Sequence, residues 1–394
     1  MLSRFDDYPI HQTPDPIAMP ASSDRDVYER YWFNGYTTNE SDPANNVFFA
    51  AATAVYPHLG LRDCSLSVVV DGTQHSFHAS QHIGADPHAL SIGPYQLDLV
   101  EPMRSAHITI GPNDTGMTAD LVYEARSGNV EEPRHHFVSG IRRGMDTTRF
   151  TQLGRWSGWI DIAGRRIELD AATTKGTKDR SWGLRPLAGG DTRGAPRPRG
   201  GLFFLWAPLH FDDFGIHYQL FEDHLGRTLF SVGAQLPLYP TADAVPGIED
   251  PAVQHMRHNE HALTFERGSR QIETVTLAMT SLPGSRLPAA TSVGDTGDTA
   301  RHEIELDKIY TFRMKGLGYG HPEWGHGVHH GELAVGLEQW DMATIDESDP
   351  TFHHVQHFVQ ARMGDHSGIG ALEQLIAGPY APYGLTGAFD PLET

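Results

Sequence analysis

Apolar and polar residues alternate with a period of two in run after run of this chain, and short turn signals cut the runs apart. Alternation of this kind sends successive side chains to opposite faces of an extended strand, so it commits the chain to half-buried β-structure. SLSVVV and QHSFHAS, joined through Asp71-Gly72 (residues 65–80), read as a hairpin whose Asp-Gly pair suits a tight turn. WSGWIDI and RIELDA (156–171) form a second hairpin around Gly164, and YQLDLV (95–100), SAHITIG (105–111) and MTADLVYEAR (117–126) are further strands. In the C-terminal half, GLFFLWAPLHF with IHYQLFED (201–223), HALTFE with QIETVTLAM (261–279), HEIELDKIYTFRMKG (302–316) and HVQHFVQARM (354–363) repeat the theme. The 41 glycines and 26 prolines, spread along the chain, favour many short strands over long helices. GIGALEQLIAG (368–378) alone reads as a helix, with Leu372, Leu375 and Ile376 on one face and Gly378 at its C-cap.

A length of 394 residues exceeds the usual single core, so two domains are expected. The reading is an aromatic-bearing arm over 1–44, a β domain over 45–190 and a second over 191–394, with the Gly/Pro-rich PLAGGDTRGAPRPRG (186–200) as the joint. The strand 201–211 is apolar on both faces, which suits a barrel wall. Fifty acidic against 30 basic residues leave a net charge of −20, which disfavours nucleic acid and anionic membrane surfaces as partners. The single cysteine, Cys64, excludes an intrachain disulfide framework and is expected to be a buried, inert thiol. MLSRFDDYPIHQTPDP has no apolar signal core and no run is long enough to span a bilayer, so a cytoplasmic protein without membrane insertion is expected.

TTKGTKDRSWGLR (173–185), followed about twenty residues on by LFFLWAPLHFDDFGIHYQLFED, resembles the tandem lipocalin-like (calycin) proteins. That group includes the AttH-like proteins and the carotenoid 1,2-hydratases, also called hydroxyneurosporene synthases. GYGHPEWGHGVHHGELAVGLEQW and GIGALEQLIAGPYAPYGL are similar to the C-terminal halves of members without an assigned activity, and the resemblance covers most of residues 45–394 in order. It implies a mainly β fold of two lipocalin-like antiparallel barrels or half-barrels packed side by side. It also implies hydratase or cyclase chemistry on hydrophobic substrates.

The richest chemical stretch is GYGHPEWGHGVHHGE (318–332), with four histidines, two glutamates and five glycines. If 326–332 is extended, His326, His330 and Glu332 share a face and would suit a metal ion, although the spacing matches no helical zinc motif. The acid–base reading places His321, Glu323 and His326 in a loop over a barrel mouth, walled by Tyr319 and Trp324. Burial would then keep Glu323 protonated as a general acid, with His321 or His326 taking a proton or positioning water. A structural turn whose histidines bond to backbone is the third reading.

Asp179-Arg180-Ser181-Trp182-Gly183 suits a buried knot with a salt bridge, a bulge at Gly183 and a packed Trp182, or else puts Asp179 at a cavity mouth as a proton donor. Phe204, Trp206, Pro208 and His210 share one face of their strand; Tyr218 faces away from His217 and Gln219 on the next. Such an aromatic wall suits an apolar ligand or a developing cation. His75, His78 and His82 read as surface or rim residues, and the adjacent pairs His135-His136 and His353-His354 point apart. The reading that results is a cofactor-independent hydratase, dehydratase or cyclase for a terpenoid- or steroid-like molecule. Glu323 or Asp179 would be the acid and His321, His326 or His217 the base; Phe204, Trp206, Tyr218, Tyr319, Trp324 and Trp182 would hold the ligand. A carrier of a hydrophobic ligand and a His/Glu metal enzyme are the alternatives.

Overall fold

The computed structural model describes residues 2–9, 27–37, 46–86, 88–139, 142–185, 187, 201–247, 249–283, 292–293 and 299–388. Most of the expected joint (186 and 188–200), and 1, 10–26 and 38–44 of the expected arm, lie outside the described residues. The fold is mainly β, as the alternation predicts, with two antiparallel barrel-like sheets and only short 3-10 turns besides. No helix among the described residues is long and apolar enough to cross a membrane.

The chain divides into two compact units that are not consecutive segments: the first takes 1–192, 239–250 and 315–344, the second the remainder. In the first unit, the strand Leu333–Asp341 pairs with Thr73–His82, followed in order by Leu61–Val70, Phe48–Tyr56, Val27–Thr37, Thr174–Leu184, Arg142–Ile162, Met117–Ala125, Ser105–Ile110, Tyr95–Glu101 and Ser91–Ile92. The barrel is nearly closed, and the Gly93 N–H donates to Gln81 Oε1 (3.2 Å) across the remaining gap. YERYWFNGY, read as part of an arm, is thus a central strand, with every residue from Val27 to Tyr36 buried.

Trp156 fills the interior of this barrel. Its ring lies edge-on to Phe33, Phe49 and Tyr123 at 5.6, 5.4 and 5.2 Å, and its indole N–H donates to the Asn34 carbonyl at 2.8 Å. A Cβ on Gly176 would stand 2.4 Å from Trp156 Nε1, which is why the neighbouring strand carries no side chain there. Residues 2–9 lie against the inward face of the sheet. Asp7 accepts from Lys178 Nζ (2.5 and 2.6 Å) and from the Met103 N–H (2.6 Å), and Arg180 pairs with Glu29 (2.7 Å) under the Tyr31 ring. All four charged groups are buried, so each depends on its partner.

The second unit is a closed barrel of eight strands, Leu202–Phe211, Phe214–Asp223, Thr228–Pro237, Gln254–Phe265, Ile272–Ser281, Ala300–Arg313, Val355–Met363 and His366–Ala377. GIGALEQLIAG is therefore a strand and not a helix. Gly368, Gly370, Leu372, Gln374 and Ile376 are buried in alternation, while Leu375 takes the other face. Residues four apart share a face in a strand as well as in a helix, so Leu372 and Ile376 supported both readings. Truncating Trp156 to Ala should cost about 3–5 kcal/mol in urea unfolding followed by circular dichroism. A cost under ~1 kcal/mol would show that the interior is not packed around it.

Candidate functional site

The outward face of three first-unit strands carries polar residues at alternate positions. Asp63, Ser65 and Ser67 on Leu61–Val70 stand opposite Ser80, His78 and Ser76 on Thr73–His82. Ala334, Gly336 and Glu338 on Leu333–Asp341 stand opposite the same three residues. Residues 315–332 cover this face. Gly316 makes the closest approach, where a Cβ would come within 2.6 Å of Gln74, Ser67 and Ser76 side chains. Strand pairing therefore brings His78, His321 and Glu338 together, with their ligand-type atoms all within 4.8 Å.

Glu338 Oε2 lies 2.6 Å from His321 Nε2 and 3.5 Å from His78 Nε2. His321 Nδ1 accepts the backbone N–H groups of Glu323 (3.0 Å) and Trp324 (2.8 Å). With its lone pair committed there, the His321 proton sits on Nε2 and is donated to Glu338. Burial alone would push the Glu338 carboxyl up, but His321 and His78 hold it at about 2, so it is a carboxylate over the working range of most enzymes. His78 is buried, and burial pushes its imidazole below the ordinary value, with Glu338 opposing. The 3.5 Å to Glu338 lies in ion-pair range, yet His78 Nε2 makes no hydrogen bond.

Trp324 is sandwiched between two imidazoles, His78 at 5.3 Å and nearly parallel and His330 at 4.4 Å. Gly336, directly opposite His78, makes the room: a Cβ there would stand 2.6 Å from the Trp324 ring. Between these groups lies a recess of about 10 Å³, room for one water, lined among others by Asp63, Ser65, His78, Trp324, His326 and Val328. Asp63 accepts from the Gly327 N–H (2.8 Å) and from Tyr56 Oη (3.1 Å), and burial raises its carboxyl above the ordinary value.

Several expected residues stand elsewhere. Glu323 is exposed, so it lacks the burial expected of a general acid there; its backbone N–H bonds His321 and its carboxylate acts on His78 only through space. His326 Nε2 donates to the Leu317 carbonyl (2.9 Å) and His330 Nε2 to the Glu323 carbonyl (3.1 Å), while Glu332 is exposed; they do not converge as a metal set. Tyr319 packs edge-on to His326 at 4.6 Å and lies under Arg30. Asp179 is held by Arg149 at 3.2 Å, and Trp182 packs near Phe150 under Arg180, as a structural knot requires. Gly183, at φ +128°, sits where a Cβ would meet the Asp146 carbonyl at 2.2 Å.

Phe204, Trp206, His217 and Tyr218 belong to the second barrel and not to this network. Tyr218 pairs with Ala207 and faces the barrel core, whereas Trp206 pairs with Gln219 and points out, so the two do not form one wall. His78, expected at the rim, is buried because Leu333–Asp341 and residues 318–326 cover it. Neither it nor Glu338 nor Asp63 carried a sequence signal, since each sits on the polar side of an ordinary alternation.

Fold and site define a protein of two antiparallel β-barrels, the first of which carries on its outward face a network of two buried histidines and a half-buried carboxylate. Residues 2–386 match the Family of unknown function (DUF8625), and the chain belongs to that family. No curated protein matches the chain in sequence. A provisionally assigned AttH from Nitrosomonas europaea is similar in structure, with a TM-score of 0.51, 10% identity and coverage of 88% of this chain and 92% of that one. Kievitone hydratase from Nectria haematococca gives a TM-score of 0.47 at 12% identity over 91% and 92%. The likeness to the AttH structure bears out the fold that the sequence resemblance implied.

Two outcomes follow from this geometry. Gly336→Val should displace Trp324, moving its indole N–H resonance (assigned through Trp324→Phe); an unmoved resonance would mean the sandwich does not need the glycine. An unfolded glutamate titrates near 4.5 and Glu338 near 2, so its stabilisation is complete above about pH 5 and is lost as pH falls toward 2. His78 adds a loss beginning below about 6.5. Urea midpoints should therefore fall in both windows, and Glu338→Gln should flatten the lower one.

Proposed function

We propose that this protein is an acid–base lyase of hydratase or dehydratase type, acting on an apolar small molecule of terpenoid or steroid character. The observation that carries the reading is the divergence of two carboxyl groups on one face. Glu338 is held as a carboxylate beside an imidazole without a hydrogen bond at Nε2, while Asp63, lining the same recess as that imidazole, is pushed up. Environments that drive titratable groups apart mark acid and base partners. His78 takes the proton of a water seated in the recess as the C–O bond forms, and Glu338 steadies the resulting imidazolium. Asp63 delivers a proton to the other carbon of the double bond; in dehydration the two roles reverse.

Asp63 and His78 are diagonal neighbours on adjacent strands, about 7 Å apart at Cβ, which leaves space for a reacting carbon pair between them. Leu317, Val328 and Trp324 supply the apolar lining. The recess holds a water and no more, so the substrate approaches past the half-buried Trp324 and His330. A metal at His78, His321 and Glu338 is the competing reading, favoured by their convergence. It would require His321 to give up its two backbone donors before Nε2 could act as a ligand.

The test is a screen of terpenoid and steroid alkenes and alcohols in ¹⁸O-labelled water, read by mass spectrometry. On a compound that incorporates label, His78→Gln and Asp63→Asn should each lower kcat by about 10²–10⁴, with Glu323→Gln unchanged and chelator without effect. Retained turnover in both His78→Gln and Asp63→Asn would refute the assignment, and loss on chelation would transfer it to a metal.

A further inference from the structure

Arg30 is a guanidinium without a carboxylate. It is 1% exposed, and no carboxylate among the described residues lies in ion-pair range of it. Among the described residues its side chain makes one hydrogen bond, a long one from Nη2 to Tyr56 Oη at 3.3 Å, and its Nε and Nη1 have no partner there. The Tyr319 ring lies 5.3 Å from its Cζ. A buried charge with no counter-charge in contact is costly, and every other fully buried cation in this sheet has an anion against it: Lys178 has Asp7 and Arg180 has Glu29.

The neighbours of Arg30 share its shortfall. Arg30, Ser181 and Arg149 stand opposite one another across three adjacent strands, and Tyr28, Gly183 and Thr147 form the next row on the same face. Ser181 Oγ, Tyr28 Oη and Thr147 Oγ1 are buried and make no hydrogen bond among the described residues. Arg149 is balanced by Asp179 at 3.2 Å and Glu132 at 3.8 Å. Arg185 adds a third guanidinium, 5.3 Å from the Tyr28 ring and 5.5 Å from Tyr319. Three cations thus have two carboxylates in ion-pair range. The next carboxyl, Asp63, stands two strands from Arg30 in the same row, outside ion-pair range; it acts on the guanidinium through space and shares the Tyr56 hydroxyl with it.

We propose that this face binds an oxyanion, the carboxylate or phosphate group of a small molecule, with Arg30 as its charged partner and the Tyr28, Ser181 and Thr147 hydroxyls as further donors. A planar guanidinium fork with two free N–H directions suits two oxygens of one such group. The strand of Arg30 lies three strand spacings from that of His78, ~14 Å. On the acid–base reading above, the ligand is then the substrate, an apolar molecule bearing an acidic group at that distance from its reacting carbon. The anion site itself does not depend on that reading.

The experiment is thermal unfolding of the full chain at fixed ionic strength, titrating sodium chloride against inorganic phosphate and against decanoate below its micelle concentration. Wild type and His78→Gln should both gain about 5 °C at saturation with at least one oxyanion, phosphate identifying a phosphate source and decanoate a carboxylate amphiphile. Arg30→Met should lose that response, and in chloride it should melt at or above wild type, because it removes an unpaired buried charge. Ser181→Ala, which removes a hydroxyl that bonds none of the described residues, should leave the chloride melting point alone and raise the titration midpoint about tenfold. Equal responses in all four proteins, no response to either oxyanion, or an Arg30→Met melting point well below wild type in chloride would each overturn the proposal. A response lost in His78→Gln and kept in Arg30→Met would overturn it as well.

Discussion

The candidate site rests on one strand pairing. Leu333–Asp341 hydrogen-bonds along the whole of Thr73–His82, so that Gly336 stands opposite His78 and Glu338 is its diagonal neighbour. Side chains alternate along a strand, and a slip of one residue would send Glu338 to the inward face and bring Leu337 out. The register also places Gly336 where Trp324 must lie, and that ring in turn covers His78. Residues more than two hundred and fifty positions apart thereby acquire one electrostatic environment.

Burial on both faces imposes the second condition. In a one-sided sheet the outward side chains are solvated and their charges cost little; in Val27–Thr37 and Thr174–Leu184 they are covered as well. Each buried charge then needs a partner inside the protein or a ligand. Lys178 and Arg180 find theirs on the inward face and Arg149 on the outward face, and Arg30 is the exception that points to a binding site.

The same principle separates the carboxyl groups. Asp63, Glu323 and Glu338 are equivalent in isolation, and their chemistry diverges through what covers them. Residues 318–332 drew attention by composition, and they do belong to the site, but largely as its cover. His321 orients Glu338, Trp324 roofs His78, and the Gly327 N–H holds Asp63. Glu323, the residue in that stretch with the most evident acid chemistry, is left in solvent.

Period-two alternation and turn residues are local properties, and they determined the β class, most strands and the hairpins at Asp71-Gly72 and Gly164, because strand geometry repeats every two residues wherever it occurs. They erred where local spacing is ambiguous, as at Leu372 and Ile376, and where a strand carries charge on a face that is later covered, as in Val27–Thr37 and Leu333–Asp341. Which carboxyl is held ionised, which imidazole is buried and which arginine has no carboxylate in contact were decided only by the tertiary structure. Desolvation and charge pairing depend on atoms brought within a few ångströms by strands far apart in the chain, and no window of sequence contains them.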